Sequence, residues 1–141
     1  MIDIQRVNHV GIRVADLATS RRFYEKLGFE FVVGPVGPEP VAIMTHPGGV
    51  VLNFILNVSA DAPTSNVLMD SDVKLPGYTH VALEVSDLDA AIAELTRLQI
   101  PLSGGPIDVG SARFAFIRDP DRNVIEFNQP RESSGFKRSG H

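Results

Sequence analysis

The sequence contains no cysteine, which excludes disulfide bonds, thiolate metal sites and cysteine nucleophiles. It also lacks any apolar run near the roughly 18 residues that a membrane-spanning helix needs, and residues 1–6 do not resemble a signal peptide. With 13 basic and 17 acidic residues, its net charge is −4. This charge argues against a surface for nucleic acid or anionic membranes. We expect a cytoplasmic protein whose partner is a small-molecule substrate.

The most informative feature that is present is an internal repeat. Residues 9–17 match residues 80–88 at an offset of 71, and residues 45–54 match residues 118–127 at an offset of 73. Each copy therefore carries a histidine early and a polar residue late. Two such copies can bring four potential ligands to one point.

Each copy has the pattern of a β-α-β-β-β unit. Alternating apolar residues predict the first strand, and Asp16 and Asp87 are placed to cap the helix that follows. Gly28 is placed to end the first helix. We predict strands at about 7–15, 29–33, 40–46 and 50–58 and a helix over 17–27 in the first copy, then strands at about 78–85, 100–103, 112–118 and 123–128 and a helix over 88–98 in the second.

These elements fit one α+β domain over residues 1–130. The first module covers about 5–58, a polar linker covers 59–77, and the second module covers about 78–129. The linker is longer than a typical loop. Residues 131–141 show no periodic pattern, and we expect an irregular tail.

The repeat points to a metal site. His9 and His80 lie on the first strands of the two modules, and Asn53 and Glu126 occupy matching positions on the last strands. Two imidazoles and one carboxylate suit a divalent first-row metal such as Fe²⁺, Mn²⁺, Zn²⁺ or Ni²⁺, and they leave positions for water or substrate. Taken singly, each residue is more often structural than a ligand. Their equivalent positions in a duplicated unit favour His9, His80 and Glu126 as metal ligands.

The block Asp119-Pro120-Asp121-Arg122-Asn123, followed by Ile125-Glu126-Phe127, together with the two histidine strands, resembles the vicinal oxygen chelate superfamily. This group includes glyoxalase I, methylmalonyl-CoA epimerase, extradiol dioxygenases, fosfomycin-resistance enzymes and bleomycin-binding proteins. The resemblance covers about residues 5–129. It implies paired βαβββ modules that form a curved, mostly antiparallel open sheet around a metal, with helices outside. The modules pair within one chain or across a dimer.

One departure from the family pattern bears on the reaction. Asn53 occupies a slot where glyoxalase I has a carboxylate that also transfers protons, and an amide cannot act as a base. The set His9, His80 and Glu126 resembles that of extradiol dioxygenases and fosfomycin-resistance enzymes. We therefore lean to three-ligand chemistry of the dioxygenase type, with Asn53 near the metal. The alternatives are a glyoxalase-type lyase or isomerase, a non-catalytic binding protein for antibiotic resistance, and a metal-bearing structural remnant.

Two further residues are candidates for contact with substrate. Tyr78 precedes His80 by two positions and faces the same side, where it could hydrogen-bond a bound oxygen or serve as an aromatic core or rim residue. Arg13 shares the parity of His9 and could meet an anionic substrate or pair with an acidic residue. Because a small sheet leaves an edge to cover, we also expect a homodimer.

Overall fold

The computed structural model describes residues 1–131. Its helices and strands follow one another in the order that the sequence repeat predicts. The chain divides into two units, Met1–Thr64 and a second unit that begins at Ser65. The first unit contains β1 (Val10–Arg13), α1 (Leu17–Lys26), β2 (Glu30–Val36), β3 (Val41–Thr45) and β4 (Val51–Ile55). The second unit contains β5 (His80–Glu84), α2 (Leu88–Arg97), β6 (Gly104–Asp108), β7 (Ala112–Arg118) and β8 (Val124–Pro130).

Each unit forms one four-stranded sheet with the same topology. The strand order is β1-β4-β3-β2 in the first unit and β5-β8-β7-β6 in the second. The first and last strands of each unit pair in parallel, and the other two pairings are antiparallel. The predicted α+β class with two βαβββ modules is confirmed.

The two helices begin and end by the same means. The Asp16 carboxylate accepts a hydrogen bond from Thr19 N at 2.9 Å, and Asp87 accepts one from Ala90 N at 3.1 Å. Both aspartates are therefore the predicted N-caps. Gly28 follows α1 with φ +98°, a left-handed conformation that glycine adopts without strain.

Each unit has its own buried cluster, built where the helix covers one face of its sheet. The fully buried side chains of the first unit include Tyr24, Met44, Leu52 and Phe54. Those of the second unit include Leu88, Ala115, Ile117 and Ile125. Since Leu52 and Phe54 flank Asn53, the alternation predicted for β4 is confirmed.

The turn before the last strand is the same structure in both units. His46 N donates to Val50 O and Gly49 N to His46 O, just as Asp119 N donates to Asn123 O and Arg122 N to Asp119 O. The side chains match as well, because His46 Nδ1 accepts from Gly48 N at 2.9 Å and Asp119 Oδ1 accepts from Asp121 N at 3.0 Å. The Asp-Pro-Asp-Arg-Asn block thus specifies the turn that sets the start of β8.

The structure moves several predicted strand limits. The strand predicted at 100–103 is wrong, since β6 begins at Gly104 and runs through Gly105 and Pro106. In the same way β2 continues past residue 33 through Gly34 and Pro35. Glycine and proline disfavour regular strands, but both strands pair here through register shifts that accommodate them. β1 and β5 are shorter than predicted.

Residues 65–77 of the predicted linker belong to the second unit. Asp70 accepts from Arg122 Nε at 2.6 Å and lies 3.0 Å from Arg118 Nη1. Asn66 N in turn donates to Asp70 at 2.8 Å. The segment after Ser65 is therefore held against the turn that joins β7 to β8.

The predicted tail falls almost wholly outside the described residues, which end at Arg131. Arg131 itself donates its backbone N to Ser111 O at 2.8 Å. Neither described helix is long and apolar enough to cross a bilayer.

Candidate metal centre

His80 and Glu126 meet because their strands are parallel neighbours. In the β5–β8 register, His80 pairs with Val124 and Ala82 pairs with Glu126, so the two side chains are two positions apart along one face. His80 Nε2 lies 3.2 Å from Glu126 Oε1. The Glu126 side chain is 11% exposed and that of His80 is 35% exposed, so the carboxylate is nearly buried and the imidazole is partly accessible. The structure thus brings these two predicted residues together.

The outer atoms of both side chains are held by neighbours. His80 Nδ1 lies 2.8 Å from Thr79 Oγ1, and Asn128 Nδ2 donates to Glu126 Oε2 at 2.8 Å. The edge of the Phe116 ring also approaches the imidazole, with ring centroids 6.0 Å apart. With their outer atoms held in this way, Nε2 and Oε1 face each other. Such support from a second layer of residues is typical of metal ligands.

The first unit repeats the histidine but not the carboxylate. His9 lies directly before β1, and its Nδ1 is 2.8 Å from Asn8 Oδ1, the counterpart of the Thr79 contact. An amide oxygen only accepts, so His9 Nδ1 is the donor in this contact. Asn53 pairs with Gly11 in the β1–β4 register, as Glu126 pairs with Ala82. Asn53 therefore occupies the predicted slot within its own unit.

The two residues predicted to contact substrate have different surroundings. Arg13 Nε donates to Asn57 Oδ1 at 2.9 Å, and Arg13 Nη2 lies 3.9 Å from Glu39. Of the two alternatives for Arg13, the structure therefore shows the pairing with an acid. Tyr78 is fully exposed and precedes β5. The roles of both residues toward a substrate are predictions still.

Sequence reasoning missed the two residues that hold the pair. Asn128 is two positions after Glu126 and on the same face of β8, so the alternation of the strand could have identified it. Thr79 directly precedes His80, as Asn8 directly precedes His9. This shared position in the repeat was the only indication in the sequence that Thr79 contacts the histidine. Arg113, on the neighbouring strand β7, pairs with Asp89 at 3.0 Å.

The donors at this site fit a divalent metal in kind but fall short in number. Within residues 1–131, no group of three or more histidine and carboxylate side chains is gathered as a complete metal site. His80 and Glu126 supply one imidazole nitrogen and one carboxylate oxygen, the donors that suit Fe²⁺, Mn²⁺, Zn²⁺ and Ni²⁺. His9, the third predicted ligand, belongs to the first unit, and its role as a ligand stays a prediction.

Known proteins share both the sequence pattern and the fold. A model of the Glyoxalase/Bleomycin resistance protein/Dioxygenase superfamily matches residues 6–127. The lactoylglutathione lyase of Schizosaccharomyces pombe is 27% identical over 86% of this chain and 44% of its own length. The mitochondrial methylmalonyl-CoA epimerase of Bos taurus is 26% identical over 77% of this chain and 63% of its own length. This chain thus spans about half to two thirds of these two relatives.

Solved structures with the same fold include TnmS3, an antibiotic binding protein from Streptomyces sp. CB03234. Its TM-score is 0.71 at 25% identity, over 93% of this chain and all of that one. A glyoxalase family protein from Enterococcus faecalis has a TM-score of 0.73 at 24% identity, over 90% of this chain and 99% of that one.

Proposed function

Because this chain belongs to the Glyoxalase/Bleomycin resistance protein/Dioxygenase superfamily, we propose that it is a divalent-metal-dependent enzyme. Its substrate is a small molecule that binds through two neighbouring oxygens. The observation that carries the proposal is the approach of His80 Nε2 to Glu126 Oε1 at 3.2 Å, with the outer atom of each side chain already held.

In this proposal His80, Glu126 and His9 hold the metal. A bound divalent metal would polarise substrate oxygens as a Lewis acid. The chain contributes the rest. Thr79 fixes the plane of the His80 ring, and its hydroxyl can either donate to Nδ1 or accept from it. The small exposed fraction of Glu126 keeps water away from one side of the carboxylate.

We assign the reaction to the lyase or isomerase class. The names of the relatives, lactoylglutathione lyase and methylmalonyl-CoA epimerase, favour this alternative over dioxygenase chemistry. Since Asn53 cannot accept a proton, Glu126 is the carboxylate at this site that could do so, and only while the accepting oxygen is not bound to the metal. The dioxygenase reaction to which Asn53 first pointed is tested in the same experiment.

The likeness to TnmS3 supports a second candidate, a protein that binds an antibiotic without turning it over. Such a protein would bind its ligand equally well with and without metal. It would also tolerate loss of the Glu126 carboxylate.

The decisive experiment combines metal analysis with a screen of three reactions. Protein is stripped of metal, reloaded with Ni²⁺, Mn²⁺, Zn²⁺ or anaerobic Fe²⁺, and assayed for lactoylglutathione formation, for solvent-deuterium exchange into methylmalonyl-CoA, and for oxygen uptake with catechol. We expect turnover in one of the first two assays, and only with metal. Glu126→Gln, which keeps the shape and removes the charge, is the matched control. Oxygen uptake alone would reassign the reaction, and metal-independent antibiotic binding without turnover would favour the second candidate.

We also propose that the protein is a homodimer. Each four-stranded sheet ends in two edge strands, and edge strands in natural proteins are usually covered. Light scattering at tens of micromolar should give twice the chain mass, and a strictly monomeric mass would contradict this.

A further inference from the structure

Asn128 is the residue that distinguishes the carboxylate site of the second unit from its counterpart in the first. Its Nδ2 donates to Glu126 Oε2 at 2.8 Å. The repeat places Ile55 at the matching position of β4, two residues after Asn53. The unit with the carboxylate thus has an amide donor beside it, and the unit with a neutral amide at that slot has an apolar side chain instead.

The support given to the histidines shows no such difference. Both His9 and His80 have Nδ1 in contact with the preceding residue, at 2.8 Å in each case. Support for the imidazole is therefore common to both units. The amide donor to the residue on the last strand occurs only in the second unit, where that residue is the carboxylate Glu126.

The contact also fixes the orientation of the Glu126 carboxylate. A carboxylate can rotate about its last bond, and a neighbour that holds one oxygen restricts this rotation. The donor at one oxygen, Oε2, leaves the other, Oε1, facing His80 Nε2 at 3.2 Å. Glu126 is buried, so the contact with Asn128 is made where little water competes with it.

We infer that Asn128 is a positioning residue for the proposed metal centre, which orients the Glu126 carboxylate by its amide. This inference rests on the proposed function, because it assigns Asn128 a task only if Glu126 is a ligand. The alternative is that Asn128 merely satisfies hydrogen bonds within β8, in which case its loss would lower stability without a specific effect on metal.

The test compares three substitutions by calorimetric titration with Mn²⁺ and Zn²⁺ and by thermal melting of the metal-free protein. Asn128→Leu removes the donor at similar volume, Asn128→Asp replaces it by a like charge, and Asn128→Gln keeps an amide. Loss of an outer partner typically weakens metal binding about 10- to 100-fold. We expect that loss for Asn128→Leu, a larger one for Asn128→Asp, and an affinity closest to wild type for Asn128→Gln. The ranking should hold whatever the melting temperatures are.

Each result has a defined meaning. If Asn128→Leu binds metal as tightly as wild type while His80→Ala does not, the inference is wrong and the proposed function stands. If wild type and His80→Ala bind equally, the proposed function fails and the inference falls with it. If Asn128→Leu does not fold, the comparison of Asn128→Asp with Asn128→Gln decides by the same titrations. Equal metal affinity of these two variants would overturn the inference.

Discussion

The two units share one topology, one turn and one histidine, and they differ at the slot where an anion stands. Glu126 in β8 is buried and held by Asn128, whereas Asn53 in β4 is neutral and is followed at the same spacing by Ile55. Both units therefore share the fold, and the second unit alone has a buried carboxylate with an amide donor beside it. The turn and the helix caps, which both units have, belong to the architecture, whereas the carboxylate with its amide belongs to the proposed site.

The turns before the last strands, residues 46–50 and 119–123, show the opposite case. His46 and Asp119 are chemically different, yet each accepts a hydrogen bond from the backbone N two residues later. Here the sequence has changed and the structure has not. The second unit adds an anchor that engages the turn itself, since Asp70 contacts Arg122.

The largest expected effect comes from giving the first unit the anion arrangement of the second. In the double variant Asn53→Glu with Ile55→Asn, β4 would carry a carboxylate and its amide donor at the positions that match Glu126 and Asn128. We expect the affinity for Mn²⁺ to rise by at least the roughly tenfold that an outer partner contributes. Binding of an anionic catecholate should weaken, because the metal keeps less net positive charge. Asn53→Glu alone should gain less, and Asn53→Gln is the neutral control. Unchanged metal affinity with a lower melting temperature would remove Asn53 from the site.

The next effect concerns the anchor at Asp70. Hydrogen bonds from Arg122 and from Asn66 N hold the pKa of Asp70 well below its ordinary value. A lowered pKa stabilises the folded state above the pKa of the unfolded chain, and that stability is lost as the pH falls below about 4. We expect Asp70→Asn to lower the melting temperature at pH 7 and to lose this effect progressively below pH 4.

The matched control for that variant is Asp89→Asn. The Asp89 carboxylate is 75% exposed and pairs with Arg113, whereas the Asp70 side chain is only 15% exposed. Exposed ion pairs contribute little. If Asp89→Asn costs as much as Asp70→Asn, the second half of the linker is not a specific anchor.

A smaller effect is expected in α1. Ser20 is buried, and within the described part of the chain its hydroxyl has no hydrogen-bond partner. The counterpart in α2 is Ala91. Since an unsatisfied buried hydroxyl costs about 1 kcal/mol or more, Ser20→Ala should raise the free energy of unfolding by about that amount. Urea denaturation measures it, with the exposed Thr96→Ala in α2 as control. A loss of stability would show that the hydroxyl has a partner.

The smallest effect is expected where the helices end. Gln99 follows α2 with φ +60°, at the position where Gly28 follows α1. A left-handed conformation strains a residue with a Cβ, and glycine relieves the strain at some cost in entropy. Gln99→Gly should therefore stabilise the protein by roughly 0.5 kcal/mol in urea denaturation. The reverse change, Gly28→Ala, should destabilise it, because the new Cβ would lie 2.9 Å from His46 Nε2. Equal effects of the two changes would contradict this account.

Much of the fold could be predicted because its determinants are local. Asp16 and Asp87 cap helices through residues three positions away, and the alternation around Asn53 is visible in the sequence. The strand β6 could not be predicted, because its glycines and proline join the sheet only through pairing with β7. Tertiary pairing overrides the weak local preference there.

The candidate site could be predicted in part. The repeat identified His80 and Glu126, which the register of β5 and β8 brings together. The roles of Asp70 and Arg122 could not be predicted, since 52 positions separate them and nothing local links the two. The position of Asn128 beside Glu126 could have been predicted from the alternation of side chains along β8 alone.

Whether His9, His80 and Glu126 hold a metal is measured by titrating metal-free protein with Mn²⁺ or Zn²⁺ in a calorimeter. Wild type should bind about one ion per chain, and His80→Ala, Glu126→Gln and His9→Ala should each bind far more weakly, because a labile metal is not held by the ligands that are left. His46→Ala is the control, since His46 lies in a turn and accepts a backbone hydrogen bond instead. Wild-type affinity in His80→Ala or Glu126→Gln would contradict the account.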